Sequence, residues 1–199
     1  MISKPLKLGF LASGNGSSAR AIVAAARAGT LDAEPRLLVS NNRSAPALAF
    51  AAEQGIAALS VPTQADPPAA DARLAEAMTA HGVELIVLSG YLRELGPQIQ
   101  ARYAGRILNI HPGPLPQFGG HGMYGRRVHE AVIAAGVAES GIVIHLVDGE
   151  YDRGPAIARR TVPVEPGDTA ETLEARVTGL EPGFFVETLS RIAAGEIVL

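Results

Sequence analysis

From Leu6 to Ile110 the chain alternates short apolar runs with helix-like stretches, and glycines stand where those stretches stop. Such alternation leaves few architectures open. It predicts a twisted parallel sheet with helices on both faces. Leu6–Ala12 reads as a strand closed by Ser13-Gly14-Asn15-Gly16-Ser17, and an alanine-rich helix follows to about Ala28, stopping at Gly29. Arg36–Ser40, Ile56–Val61, Val83–Leu88 and Arg106–Ile110 read as further strands; Pro46–Gln54, Pro67–His81 and Gly96–Tyr103 read as helices. Val83–Leu88 is apolar except for Glu84, as a strand covered on both faces should be.

Beyond Ile110 the pattern changes. Pro112–Gly125 is rich in proline and glycine and predicts a long ordered loop, and Arg126–Ala135 a helix. Gly141–Val147 and Ala156–Val164 are β-like segments around the turn Asp148–Pro155, which suggests antiparallel strands added to the sheet. Thr169–Ala194 is mostly helical, with a break expected near Glu181-Pro182-Gly183. No internal repeat and no linker stands out. The expectation is a single α/β, Rossmann-like domain over residues 1–199, mostly parallel, with an antiparallel C-terminal addition.

Composition removes several classes of function. The net charge is −3 and there is no basic run, so nucleic acid is a poor partner. There are no cysteines, which excludes a disulfide framework, a thiol nucleophile and a cysteine-ligated zinc site. The apolar runs are too short to span a bilayer. Met1–Pro5 lacks the apolar core and cleavage site of a secretory leader. No membrane partner is expected, and the expected compartment is the cytoplasm.

Three segments can carry chemistry. Ser13–Ser18 follows a strand and opens a helix, so its backbone N–H groups and the helix dipole can receive a phosphate. It is not Gly-x-Gly-x-x-Gly, no acidic residue closes the second strand, and the lysine of a triphosphate loop is missing. An ordinary βα turn remains the alternative. Asn109-Ile110-His111-Pro112 lies at the carboxyl end of a strand, where open α/β sheets place ligands. Asn109 and His111 are two apart and share a face. An amide beside an imidazole suits acyl transfer, one stabilising an oxyanion while the other moves a proton; a structural histidine is the competing reading. Asp148–Pro155 is either a solvated acidic turn or the source of a carboxylate that orients His111. His145, inside an apolar strand, reads as a hydrogen-bonded core residue, with nearness to a site left open. His121 and His129 read as surface residues, and His81 suits a helix end. No histidine pair has zincin spacing, so no catalytic metal is expected.

Taken together these segments resemble the phosphoribosylglycinamide formyltransferase family of folate-dependent enzymes. The resemblance runs from about Leu6 to Leu199. It is carried by Leu11-Ala12-Ser13-Gly14-Asn15-Gly16-Ser17, Leu88-Ser89-Gly90-Tyr91-Leu92-Arg93, Asn109-Ile110-His111-Pro112 with Leu115-Pro116, and Asp152-Arg153-Gly154-Pro155. Gly119–Gly125 is similar to the longer loop of one bacterial branch. The resemblance implies that Asn109, His111 and Asp152 are catalytic, and that Asn15, Gly16, Ser17 and Ser18 hold the acceptor's phosphate. It implies that Leu92, Arg93, Glu94 and Leu95, with Asn109, Val147 and Asp148, hold the folate, and that Glu181 meets the acceptor amine. Ser18 stands where asparagine is usual, Pro67 near a folate-contacting arginine of some members, and Glu181-Pro182 where the family commonly has Glu-His.

The reaction the resemblance implies is transfer of the formyl group of 10-formyltetrahydrofolate, a co-substrate, to the amine of 5-phosphoribosylglycinamide in purine synthesis. Asp152 would orient His111 and keep its pKa up. The rivals are formyl transfer to an amino-sugar nucleotide or to methionyl-tRNA, formyl-folate hydrolysis, and a non-catalytic phosphometabolite-binding protein. The expected partners are small molecules, with the chain a monomer or a homodimer.

Overall fold

The computed structural model describes residues 4–199; Met1–Ser3, part of the leader-free reading above, lie outside the described residues. One seven-stranded sheet organises the chain, in the order β3-β2-β1-β4-β5-β6-β7. β1 (Leu6–Leu11), β2 (Ala33–Ser40), β3 (Ala57–Ser60), β4 (Leu85–Leu88) and β5 (Ile107–His111) are parallel, and β6 (Glu139–Leu146) and β7 (Ala156–Pro163) are antiparallel additions. The expected architecture is therefore present, with β2 three residues longer at its start than the apolar pattern alone suggested.

Two cores form because successive side chains of a strand point to opposite faces. Phe10, Leu38, Leu85, Val87 and Leu108 face α1 (Ser17–Arg27), α2 (Pro46–Glu53), α5 (Arg126–Ala134) and α6 (Ala170–Ala194). Leu37, Val39, Ile86, Leu88 and Ile107 face α3 (Pro67–Ala80) and α4 (Pro97–Arg102). Asp71, a buried carboxylate on α3, caps α4 by accepting from the N–H groups of Gln98 (2.8 Å) and Ile99 (3.1 Å). This cap fixes the end of the segment Tyr91–Leu95 that precedes α4.

α6 corrects one expectation. It runs unbroken through Pro182, with a Thr169–Thr172 capping box at its start and Gly195 at its end. Proline in a helix interior costs about 3 kcal/mol and removes the bond to the Thr178 carbonyl. Leu173, Val177, Phe184, Phe185 and Leu189 are all buried on the sheet, and each contributes about 1.5–3 kcal/mol. Burial outweighs the local break.

Candidate active site

β5 ends on the two residues that matter, and β6 brings a third. In the antiparallel register Asn109 sits opposite His145 and His111 opposite Val143. The turn after β6 then folds back so that Asp152 reaches both histidines: Oδ2 lies 3.4 Å from His111 Nδ1, and Oδ1 lies 3.4 Å from His145 Nε2. Two features permit the fold-back. Gly154 passes so close to the Leu146 carbonyl oxygen that a Cβ would fall on it. Asp152 itself has φ 57°, the one non-glycine residue with left-handed backbone among the described residues. Asn109, His111 and Asp152, expected to act together, do converge. His145 joins them, which the reading of an apolar strand left undecided.

The hydrogen bonds fix orientation. His145 Nδ1 donates to the Leu146 carbonyl (2.9 Å), so in neutral imidazole Nε2 is left as an acceptor for the Asn109 amide, 3.1 Å away. That turns the NH₂ end of Asn109 toward His145 and leaves its second N–H free. When protonated, His145 Nε2 instead has the Asp152 carboxylate to donate to. His111 is buried, and its Nε2 donates to the Phe118 carbonyl (2.7 Å) in the loop that follows β5. Gly120 N–H donates to Asp152 Oδ2 (3.0 Å), tying that loop to the carboxylate.

Electrostatics modify the expectation for His111. Burial lowers its pKa below the ordinary 6.5; Asp152 and the Phe118 carbonyl raise it, but His145 works against them, and the outcome is a lowered value. Asp152 orients the ring and raises its pKa, but burial is the larger effect. For Asp152, burial raises the pKa, yet the His145 hydrogen bond, the His111 charge and the Gly120 N–H together bring it below the ordinary 3.8. The carboxylate stays ionised.

A cleft opens beside these groups, lined by Leu88, Tyr91, Arg93, Glu94, Leu95 and Asn109 on one side and by His145, Val147 and Gly149–Asp152 on the other. The space it encloses is about 90 Å³. Of the expected folate strip, Arg93, Glu94, Leu95, Asn109 and Val147 line the cleft. Leu92 is exposed and, like Asp148, is not among its walls. Tyr91 and Tyr151 line it without having been anticipated; Tyr151 also meets the His121 ring edge-on at 5.8 Å.

The turn at Asn15–Ser18 lies at the start of α1. Gly16 takes φ 66° and no side chain caps the helix. The N–H of Ala19 bonds to Ser89 Oγ (3.0 Å), whereas those of Ser17 and Ser18 have no intrahelical acceptor. Asn15 and Ser17 are exposed and Ser18 is buried. Ser13 joins this turn to two others. Its N–H donates to the Gly90 carbonyl (3.1 Å), its Oγ donates to Asn41 Oδ1 (2.6 Å), and the same Oγ accepts from the Leu92 N–H (2.8 Å).

Glu181 sits on α6, half-buried and without a hydrogen bond or ion pair to any described residue. Burial pushes its carboxyl up to about 7. It is not a wall of the cleft. His129 corrects the surface expectation: with Val128 and Val132 it forms the inward stripe of α5, fully buried, and neither ring nitrogen has a partner. Burial lowers its pKa, so the ring is neutral at pH 7. No helix among the described residues is long and apolar enough to cross a membrane.

Comparison with known proteins agrees with this geometry. The family model described as formyl transferase matches residues 6–189. A chloroplastic phosphoribosylglycinamide formyltransferase of Vigna unguiculata is 38% identical over 96% of this chain and 62% of its own length. The chain thus spans somewhat less than two thirds of that plant relative. The phosphoribosylglycinamide formyltransferase of Mycobacterium tuberculosis is 38% identical over 96% of this chain and 86% of its own. A crystal structure of the Brucella melitensis phosphoribosylglycinamide formyltransferase superposes with a TM-score of 0.86 at 37% identity, covering 98% of this chain and 99% of that one. The chain belongs to the formyl transferase family, among its phosphoribosylglycinamide formyltransferases.

Proposed function

We propose that residues 1–199 form one formyltransferase domain that moves the formyl group of 10-formyltetrahydrofolate to the amine of 5-phosphoribosylglycinamide, giving the formylated product and tetrahydrofolate in purine synthesis. The observation that carries this reading is the joining of Asn109, His145 and Asp152 at the wall of one cleft, with His111 buried behind the Asp152 carboxylate. An amide N–H, two imidazoles and an ionised carboxylate suit acyl transfer between nitrogens.

The acceptor amine attacks the formyl carbon held in the cleft, and a C–N bond forms as the carbonyl becomes a tetrahedral oxyanion. The free N–H of Asn109 donates to that oxygen; His111, neutral at rest, adds a second donor once it takes up the amine's proton and its ring turns from the Phe118 carbonyl. One such donor is worth about 3 kcal/mol in the transition state. The amine then loses a proton and the folate nitrogen gains one as its bond to carbon breaks, with His111 and a water as carriers. Asp152 holds His111 in place, and His145 sets the amide of Asn109. The turn Asn15–Ser18 receives the acceptor's phosphate on the Ser17 and Ser18 N–H groups, and Glu181 accepts from its amine. Arg93, Glu94, Leu95, Val147 and Asp148 hold the folate, with Leu92 at the mouth. The same reading takes the enzyme as cytoplasmic, acting on small molecules alone, as a monomer or homodimer.

The test is formyl transfer from 10-formyltetrahydrofolate to 5-phosphoribosylglycinamide, to its dephosphorylated riboside and to an amino-sugar nucleotide. The phosphorylated glycinamide should have the highest kcat/KM. Equal use of the riboside would remove the phosphate turn, and preference for the sugar would replace the acceptor.

A further inference from the structure

The turn assigned above to the acceptor's phosphate carries no formal charge of its own: it is Asn15-Gly16-Ser17-Ser18. A phosphomonoester brings about −1.5 to −2 at pH 7, and a helix N-terminus answers only about half a positive charge. The cation on the adjoining helix is already engaged. Arg20 Nε donates to the Asn15 carbonyl (2.9 Å), its Nη2 to the Pro46 carbonyl (3.3 Å), and the guanidinium lies 4.4 Å from the centre of the Phe50 ring. Arg20 braces the turn.

Arg43 is placed differently. It is exposed and makes no hydrogen bond or ion pair with any described residue. Arg73 and Arg93 are also unpaired, so a solvated guanidinium is no signal in itself. What distinguishes Arg43 is that its loop is attached to the phosphate turn on both sides of it. Before it, Asn41 accepts from Ser13 Oγ (2.6 Å) and Asn42 Nδ2 donates to the Ser13 carbonyl (3.5 Å). After it, the Ala47 N–H donates to the Gly14 carbonyl (3.2 Å), and the Ala47 methyl lies 3.2 Å from where a Gly16 Cβ would be. Arg43 is held on a short excursion between two anchors on the same turn.

We propose that Arg43 is a specificity-determining residue for the acceptor, supplying the charge that its phosphate meets at the rim of the α1 turn. This rests on the assignment of that turn to the phosphate. A guanidinium donates two parallel hydrogen bonds to a phosphate, so the residue favours phosphorylated over dephosphorylated acceptor and acts on binding more than on the chemical step.

The experiment compares wild type with Arg43→Ala, Arg43→Gln and Arg43→Lys, as the full chain. Three quantities are read: KM for 5-phosphoribosylglycinamide, the inhibition constant of ribose 5-phosphate competing with it, and the ratio of kcat/KM between the nucleotide and its riboside. In the alanine and glutamine variants KM and the inhibition constant rise about tenfold, the worth of one hydrogen bond to a charged group. The selectivity ratio falls by the same factor, and the lysine variant recovers part of it. Added salt weakens ribose 5-phosphate binding more in wild type than in the alanine variant. If wild type discriminates against the riboside but the alanine variant discriminates equally well, Arg43 is overturned and the phosphate turn stands. If wild type ignores the phosphate altogether, both fall.

Discussion

Glu181→Gln tests the site through stability as well as activity. The carboxyl is half-buried and unpartnered, and burial moves its pKa from an ordinary 4.5 to about 7. The native state therefore holds this proton more tightly than the unfolded chain does. The stabilising protonated form is fully present below pH 4.5, and its contribution is lost as the pH rises through 7. A tenfold change in proton affinity is worth about 1.4 kcal/mol, so the loss across that interval is about 3 kcal/mol. Glutamine has a similar shape and never ionises. Urea unfolding at pH 4.5 should give similar stabilities for wild type and Glu181→Gln, whereas at pH 8 the variant should be the more stable by up to about 3 kcal/mol. Formyl transfer should move the opposite way, since glutamine cannot offer the amine an anionic acceptor. Parallel stability curves over pH 4.5–8 would refute the reasoning, because they would mean that Glu181 titrates as it does in water.

Asp152→Asn should keep its fold, because asparagine tolerates the left-handed backbone at φ 57°, yet lower kcat by about 10²–10⁴; near-normal turnover with an unchanged melting curve would remove the carboxylate from the mechanism. His111→Ala should lower kcat similarly and leave ordered secondary structure by circular dichroism, and a variant that still turns over at the wild-type rate would exclude the imidazole. Gly154→Ala must push the turn off the Leu146 carbonyl, and should lower stability by about 1–3 kcal/mol in chemical denaturation; a neutral effect would show that the fold-back is not tight.

The parallel half of the fold is legible because its strands are apolar runs closed by glycine, so periodicity and punctuation agree. Asn109 and His111 are legible for the same reason: they share a face at the end of such a strand. His145 is harder, since its neighbours Ile144 and Leu146 give it the surroundings of a core strand. What makes it part of the site is the register that sets it opposite Asn109, a long-range fact with no local trace. His129 fails for a related reason. Its helix begins with two arginines and looks polar, yet α5 turns its Val128–His129–Val132 stripe inward. The break expected at Pro182 fails because a local propensity of about 3 kcal/mol meets a much larger sum of buried apolar side chains.

The three bonds around Ser13 have a thermodynamic consequence. One hydroxyl is shared between Asn41, on the side proposed for the acceptor, and the Leu92 N–H, on the side proposed for the donor, while the backbone N–H of the same residue holds Gly90. The loops beside the two proposed sites are therefore one hydrogen-bonded unit. A molecule that shifts or stiffens either loop works against the same oxygen as a molecule at the other. Any free energy of coupling that passes through it is reciprocal: the factor by which bound donor changes the affinity for acceptor is the factor by which bound acceptor changes the affinity for donor. Removing the hydroxyl would cut that link in both directions at once.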